Sequence, residues 1–288
     1  MADANIWPMG PQPTRRAAVA GTWYPNVPET LTREIDRYCA QVSDRIHGNL
    51  VGLVAPHAGL IYSGPVAAHA YCQLEGRHFD VVVIVGPSHY MNFEGVALFP
   101  DGAFDTPCGP MAVSEEIGSA LQAAGTVVRE HRAAHQREHS IEMQLPFLQR
   151  FLPDTPIVPL VMGNQSTRTM NDLGTALATC LSGRTALLVA SSDLSHYQDA
   201  PTAHRLDRVV LDSIRQFDPE ALERALAHLP DHACGGGPIV SVMRAARALG
   251  AREARVLHYA DSGDVSGDKS AVVGYVAAAI GTFAETPA

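Results

Sequence analysis

Five consecutive apolar residues, Val81 to Val85, stop at Gly86-Pro87 and are followed at once by Ser88 and His89. A Val/Ile run with no polar alternation fits a parallel strand covered on both faces, and proline ends it because it has no N–H for the ladder. The pattern recurs twice: Leu50 to Ala55 runs into Pro56-His57, and Leu187 to Ala190 runs into Ser191-Ser192-Asp193-Leu194-Ser195-His196. Ile157 to Met162, Ala254 to Tyr259 and Ala271 to Ile280 predict further strands, with a short one at Val127-Val128. Helical spacing fills the intervals. Leu31, Ile35, Tyr38, Cys39, Val42 and Ile46 predict a helix over 28–46, and Ser63-Gly64-Pro65 opens another that runs through Tyr71 and Leu74 to Gly76. Ser114 caps a helix that carries Glu115 and Glu116 in its first turn and ends at Gly125. Ile141 to Leu148 reads as an apolar helix bent at Pro146. Met170, Leu173, Leu177 and Cys180 mark the next helix, and residues 199–217, 218–229 and the stretch after Gly237 supply three more. Strands interleaved with helices give an α/β fold, a three-layer α/β/α sandwich around a mixed, mostly parallel sheet.

In open α/β sheets, ligands bind beyond the carboxyl ends of the strands, so the three strand endings bring His57, His89 and His196 toward one cleft. Cys234 sits in Ala233-Cys234-Gly235-Gly236-Gly237 at a helix start, where free backbone N–H groups favour a thiolate. His57, His89 and Cys234 are therefore candidate metal ligands, three donors that leave coordination positions open. The bland alternative gives each histidine an ordinary core or capping hydrogen bond. His196, with Asp193 orienting it, is a candidate acid/base, against the alternative that Asp193 and its serines only cap a helix. Cys234 as a nucleophile with His196 as its base is a further possibility. A competing signal is His135-Gln136-Arg137-Glu138-His139, which matches the H-x-x-E-H pattern of inverted zinc peptidases; on a helix it would set two zinc-binding histidines one turn apart with Glu138 as general base, and the alternative function is a zinc metallopeptidase. The loop from Asp261 to Asp268 is rich in glycine, but it lacks G-K-[ST] and its three aspartates repel phosphate, so it reads as a connection.

The chain has 288 residues, 46% hydrophobic and 18% charged, enough for one sizeable core. We expect a loose arm over residues 1–14 and a single domain over 15–288. The formal charge of −9 comes without a Lys/Arg block, which argues against nucleic acid and anionic membrane and favours a small-molecule or peptide ligand. Five cysteines, odd in number and with no C-x-x-C pair, indicate neither a disulfide framework nor a zinc ribbon, and a reducing cytoplasm is the expected location. No run reaches membrane-spanning length, and the start lacks a signal-peptide core.

Several ordered blocks carry a family resemblance: Val19-Ala20-Gly21-Thr22-Trp23-Tyr24-Pro25, Ala55-Pro56-His57-Ala58-Gly59-Leu60-Ile61-Tyr62-Ser63-Gly64, Gly86-Pro87-Ser88-His89, Glu138-His139-Ser140-Ile141-Glu142, Ser192-Asp193-Leu194-Ser195-His196-Tyr197, Ala233-Cys234-Gly235 and Val273-Gly274-Tyr275. Together they resemble the Memo family (AmmeMemoRadiSam system protein B), whose fold is similar to that of class III extradiol dioxygenases. The resemblance implies a non-haem metal at His57 and His89, iron or copper first and zinc next, with His139 and His196 lining the substrate side. It implies Cys234 where the dioxygenases have a carboxylate. AMMECR-type and radical SAM proteins are the partners it implies.

Overall fold

The computed structural model describes residues 13–124, 127–229 and 232–284. Most of the expected arm, and Gly125 as a helix stop, lie outside these residues. In chain order the elements are β1 (Thr14–Arg15), α1 (Pro28–Cys39), β2 (Gly48–Ala55), α2 (Leu60–Tyr71), β3 (Val81–Pro87), β4 (Val96–Leu98), β5 (Ala103–Phe104), β6 (Met111–Ala112), α3 (Glu115–Ala123), β7 (Val128–Glu130) and α4 (Leu145–Phe151). The second half holds β8 (Ile157–Met162), α5 (Thr167–Leu181), β9 (Ala186–Ser191), β10 (His196–Gln198), α6 (Ala200–Arg215), α7 (Pro219–His228), α8 (Gly236–Ala248), β11 (Glu253–Asp261), α9 (Gly263–Ser266) and β12 (Val272–Phe283).

Among the described residues, the main sheet has nine strands in the order β10-β12-β2-β9-β3-β8-β4-β7, with β11 also paired to β12. Its centre, β2-β9-β3-β8, is parallel, whereas β12 runs antiparallel to β2, β10 and β11. Alternation along the central strands explains the three layers. Val82, Ile84, Leu187 and Val189 face one core with α1, α2 and α4, and Val81, Val83, Val85 and Leu188 face the other with α3, α5, α6, α7 and α8. Both faces are covered, so the apolar runs need no polar positions. The parallel strands β2, β3 and β9 end at the same edge of the sheet.

Local departures from expectation have simple causes. The first helix stops at Cys39, and Val42 and Ile46 continue its apolar spacing in irregular chain that still packs on the core. The second starts at Leu60, so Pro65 lies inside it. Pro146 does not bend a helix. A 3-10 turn over Glu142–Gln144 precedes α4, and proline falls in the first turn, where its missing N–H costs nothing. Thr14, the last residue of the expected arm, pairs with Ala103, and Arg15 pairs with Phe104. Arg15 also reaches the buried carboxylate of Glu142, which accepts from Ala18 N, Val19 N and the Tyr24 hydroxyl. That one carboxylate holds the N-terminal segment down.

The cysteine expectation is corrected. Cys39, at the end of α1, and Cys72, just past α2, form a disulfide with Cα atoms 6.1 Å apart, leaving Cys108, Cys180 and Cys234 free. The pair is 33 residues apart in sequence and belongs to no motif. It removes cysteine usage as an argument for a reducing compartment. No described helix is long and apolar enough to cross a membrane.

Two measurements test these features. Alkylation of the denatured, unreduced chain is expected to label three thiols, and prior reduction five; five labels without reduction would disprove the bridge. His135 is buried against Phe99 and Phe104, with Nε2 3.1 Å from Ala97 O, and burial lowers its pKa to about 3. Its stabilising contribution is therefore complete above the unfolded value, roughly 6.5, and is lost as pH falls toward 3. Denaturant titrations across that window should show His135→Gln with a pH slope shallower than wild type by about 1.4 kcal/mol per pH unit. Identical slopes would count against a neutral buried ring.

Candidate metal centre

Three chain segments meet at the carboxyl edge of the sheet. Pro56-His57 leaves β2, Ser88-His89 leaves β3, and Cys234 sits on the turn before α8. Their ligand atoms all lie within 4.8 Å of one another. The His57 and His89 rings are 5.1 Å apart and nearly perpendicular, and Cys234 Sγ is 3.2 Å from His57 Nε2. Gly235 allows this approach, since a Cβ there would collide with Ser191 O and the Ser192 side chain. Its N–H donates to Ser192 Oγ, and Gln165 braces the same turn by donating to Cys234 O and accepting from Gly237 N.

Glu138 organises the His89 side. Its carboxylate accepts from His89 N at 2.6 Å, His89 Nδ1 at 2.8 Å, His139 N at 2.9 Å and Ser140 N at 2.9 Å. Burial alone would raise its pKa, but the His89 contacts and these N–H groups prevail and hold it down at about 2. An ionised carboxylate only accepts, so His89 carries a hydrogen on Nδ1, which leaves Nε2 as the ring nitrogen available to an ion.

On the other side, Asp193 Oδ1 accepts from His57 N at 2.8 Å, and Oδ2 lies 3.9 Å from His57 Nε2. Burial lifts the Asp193 carboxyl to about 6, and burial followed by the Asp193 charge raises the Cys234 thiol. Burial and the neighbouring His89 keep His57 neutral, well below its ordinary value. Such a thiol keeps its proton until a cation bound at the sulfur displaces it to a base or solvent.

The structure also places the remaining candidates. His139 stacks on His89 at 4.4 Å, packs on Trp23 at 4.3 Å and has the Tyr90 hydroxyl 3.5 Å from Nδ1. Burial, then His57 and His89, lowers its pKa to about 3, so it lines the site as a neutral ring. With His89 and Glu138 it forms a second ligand-distance group. His196 begins β10 opposite Val273, outside both groups, yet near enough for its charge to act on His57 and Asp193. His135 is not part of the centre: residues 132–135 form a 3-10 turn, Glu138 is engaged by His89, and no such group among the described residues contains His135. The one-face helical arrangement expected for H-x-x-E-H is therefore absent.

Sequence reasoning missed Ser191, Ser140 and Gln144 beneath His57, and Trp23 against His139. It also missed that Ile61, Tyr62, Tyr90, Met91 and Tyr197 are exposed, each within a few residues of His57, His89 or His196 in sequence; Tyr197 is 77% exposed with φ of 60°. Beside the Cys234 turn lies a cavity of about 540 Å³, lined also by Gln165, Met170, Glu223 and Gly237.

A family model described as Memo-like protein matches residues 15–279. A MEMO1 family protein of Methanothermobacter thermautotrophicus is 38% identical over 273 residues, spanning 91% of this chain and 98% of its own. One from Methanosarcina mazei is 41% identical over 266 residues, spanning 91% and 97%. Among solved structures, uncharacterized protein JW3007 from Escherichia coli K12 is similar, with a TM-score of 0.54 and 16% identity over 79% of this chain and 99% of that one. This last likeness concerns the fold alone, whereas the family match and the relatives cover nearly the whole chain: the protein belongs to the Memo family.

Proposed function

We propose that the protein is a Memo-like metal-binding protein that holds one transition-metal ion on His57, His89 and Cys234 and receives a small-molecule or peptide ligand at the ion's open side. The observation that carries the reading is the convergence of two imidazoles and one thiol with ligand atoms within 4.8 Å of one another. The donor set fits: neutral nitrogen and soft sulfur suit copper(I), zinc or iron(II), and three protein donors leave positions open. When bound, such an ion supplies Lewis acidity or electron transfer. The chain's own groups do the rest. Glu138 orients His89, Asp193 holds the His57 backbone, His139 lines the ligand side as a neutral ring, and His196 exchanges protons with the bound ligand.

A thiol in place of a carboxylate gives a softer set than two histidines and a carboxylate, and sulfur beside activated oxygen is open to oxidation. The reading therefore assigns a redox or ligand-binding role without efficient ring cleavage.

Titration of untagged, metal-free protein with Co(II), followed by visible absorption, is expected to give one ion per chain. His57→Ala, His89→Ala and Cys234→Ser should each weaken it at least tenfold, and His196→Ala should leave most of it bound. Wild-type affinity in the three ligand variants would overturn the assignment; loss in His196→Ala equal to that in His89→Ala would make His196 a ligand. Fe(II)-loaded protein given a catechol and oxygen is expected to yield little ring-opened product, and rapid cleavage would show that the sulfur does not impede that chemistry.

A further inference from the structure

We propose that Ser191 is a positioning residue that fixes His57 as its Nδ1–H tautomer and so leaves Nε2 free for the ion, an inference that rests on the metal-binding reading above. Ser191 is not one of the three residues assigned to the ion, which are His57, His89 and Cys234. It lies behind the ring, with Oγ 2.8 Å from His57 Nδ1.

The tautomer is set by the number of hydrogens available. A serine hydroxyl has one hydrogen and two lone pairs, and Ser191 Oγ has three neighbours. Ser140 O, at 2.6 Å, is a carbonyl and can only accept, so it takes the Ser191 hydrogen. Gln144 Nε2, at 2.8 Å, donates into one lone pair. His57 Nδ1 therefore meets an oxygen with no hydrogen left to give, and the contact is completed only if Nδ1 is the donor. Nε2 is then the unprotonated nitrogen, and it is the one facing Cys234 Sγ.

The Gln144 amide has a fixed direction as well. Nε2 lies 3.1 Å from Pro56 O, another pure acceptor, while Oε1 accepts from the Tyr71 hydroxyl at 2.6 Å. Turning the amide over would set oxygen against carbonyl oxygen. Tyr71, Ser140, Gln144 and Ser191 are all 0% exposed and His57 is 1% exposed, so solvent does not substitute for a missing partner. The two carbonyls, Ser140 O and Pro56 O, thus give the relay its polarity. His89 is held at the same ring nitrogen by a carboxylate, and His57 by a neutral hydroxyl, which adds no charge beside the ring.

Long-range 1H–15N correlation of ring-labelled, metal-free protein, with His57 assigned through His57→Gln, reads the tautomer directly. The wild type is expected to show Nδ1–H at His57. Ser191→Ala, confirmed as folded by its melting curve, should shift the ring toward Nε2–H and weaken Co(II) binding roughly 10–100-fold, the usual effect of losing a hydrogen-bond partner behind a metal ligand. Nε2–H at His57 in the wild type would overturn the proposal, as would an unchanged tautomer and Co(II) affinity in Ser191→Ala. If the alanine variant does not fold, the wild-type spectrum still decides. Failure of the wild type to bind Co(II) would sink the metal reading, and the ring spectrum would test the relay independently of it.

Discussion

The carboxylate of Glu138 is the constraint on which the site depends. It is buried, which opposes its ionisation, and it stays ionised because four donors from His89, His139 and Ser140 converge on it. Removing this one acceptor would strand all four. The same short segment carries Glu142, whose carboxylate binds Arg15 and the backbone of Ala18 and Val19. Two acidic residues four positions apart thus tie the exit of β3 and the N-terminal segment to one short stretch of chain. Gly86 makes room for it, since a Cβ there would strike the Ser140 side chain.

The result is a centre in which charge is scarce. His57 and His139 are held neutral by burial and by the neighbouring rings, and the Cys234 proton is held tightly. The charge of Glu138 is taken up by its hydrogen bonds. Asp193 is a further acid close to the rings, and its pKa of about 6 leaves its ionisation sensitive to what is bound nearby. A cation entering this group would meet ready nitrogen lone pairs and one proton to displace.

The parts of this arrangement that depend on local chain chemistry are legible in the sequence. An apolar run closed by proline or glycine ends a buried strand, and the next residues stand at the sheet edge; this places His57, His89 and the approach to His196. Roles that depend on distant partners are not legible. The H-x-x-E-H spacing invites a general-base role for Glu138, yet its partner His89 lies 49 residues away. Ser191 reads as one of a group of helix-capping serines, and its contact to His57 spans 134 residues. Cys39 keeps a helical spacing that accounts for its packing and says nothing of Cys72. Pro146 suggests a bend only if the helix starts well before it, whereas α4 begins at Leu145, a boundary that periodicity does not define.

The contact between Cys234 and His57 crosses 177 residues of chain, and the strands beneath it are parallel, so their pairing requires long crossovers. Contacts of this kind form late in folding, because the entropy of closing so large a loop is met only after the intervening structure has condensed. A nascent chain that has made β2 and β3 already owns both imidazoles but has no sulfur beside them. The group is therefore an endpoint of topology: its three side chains meet only in a finished fold.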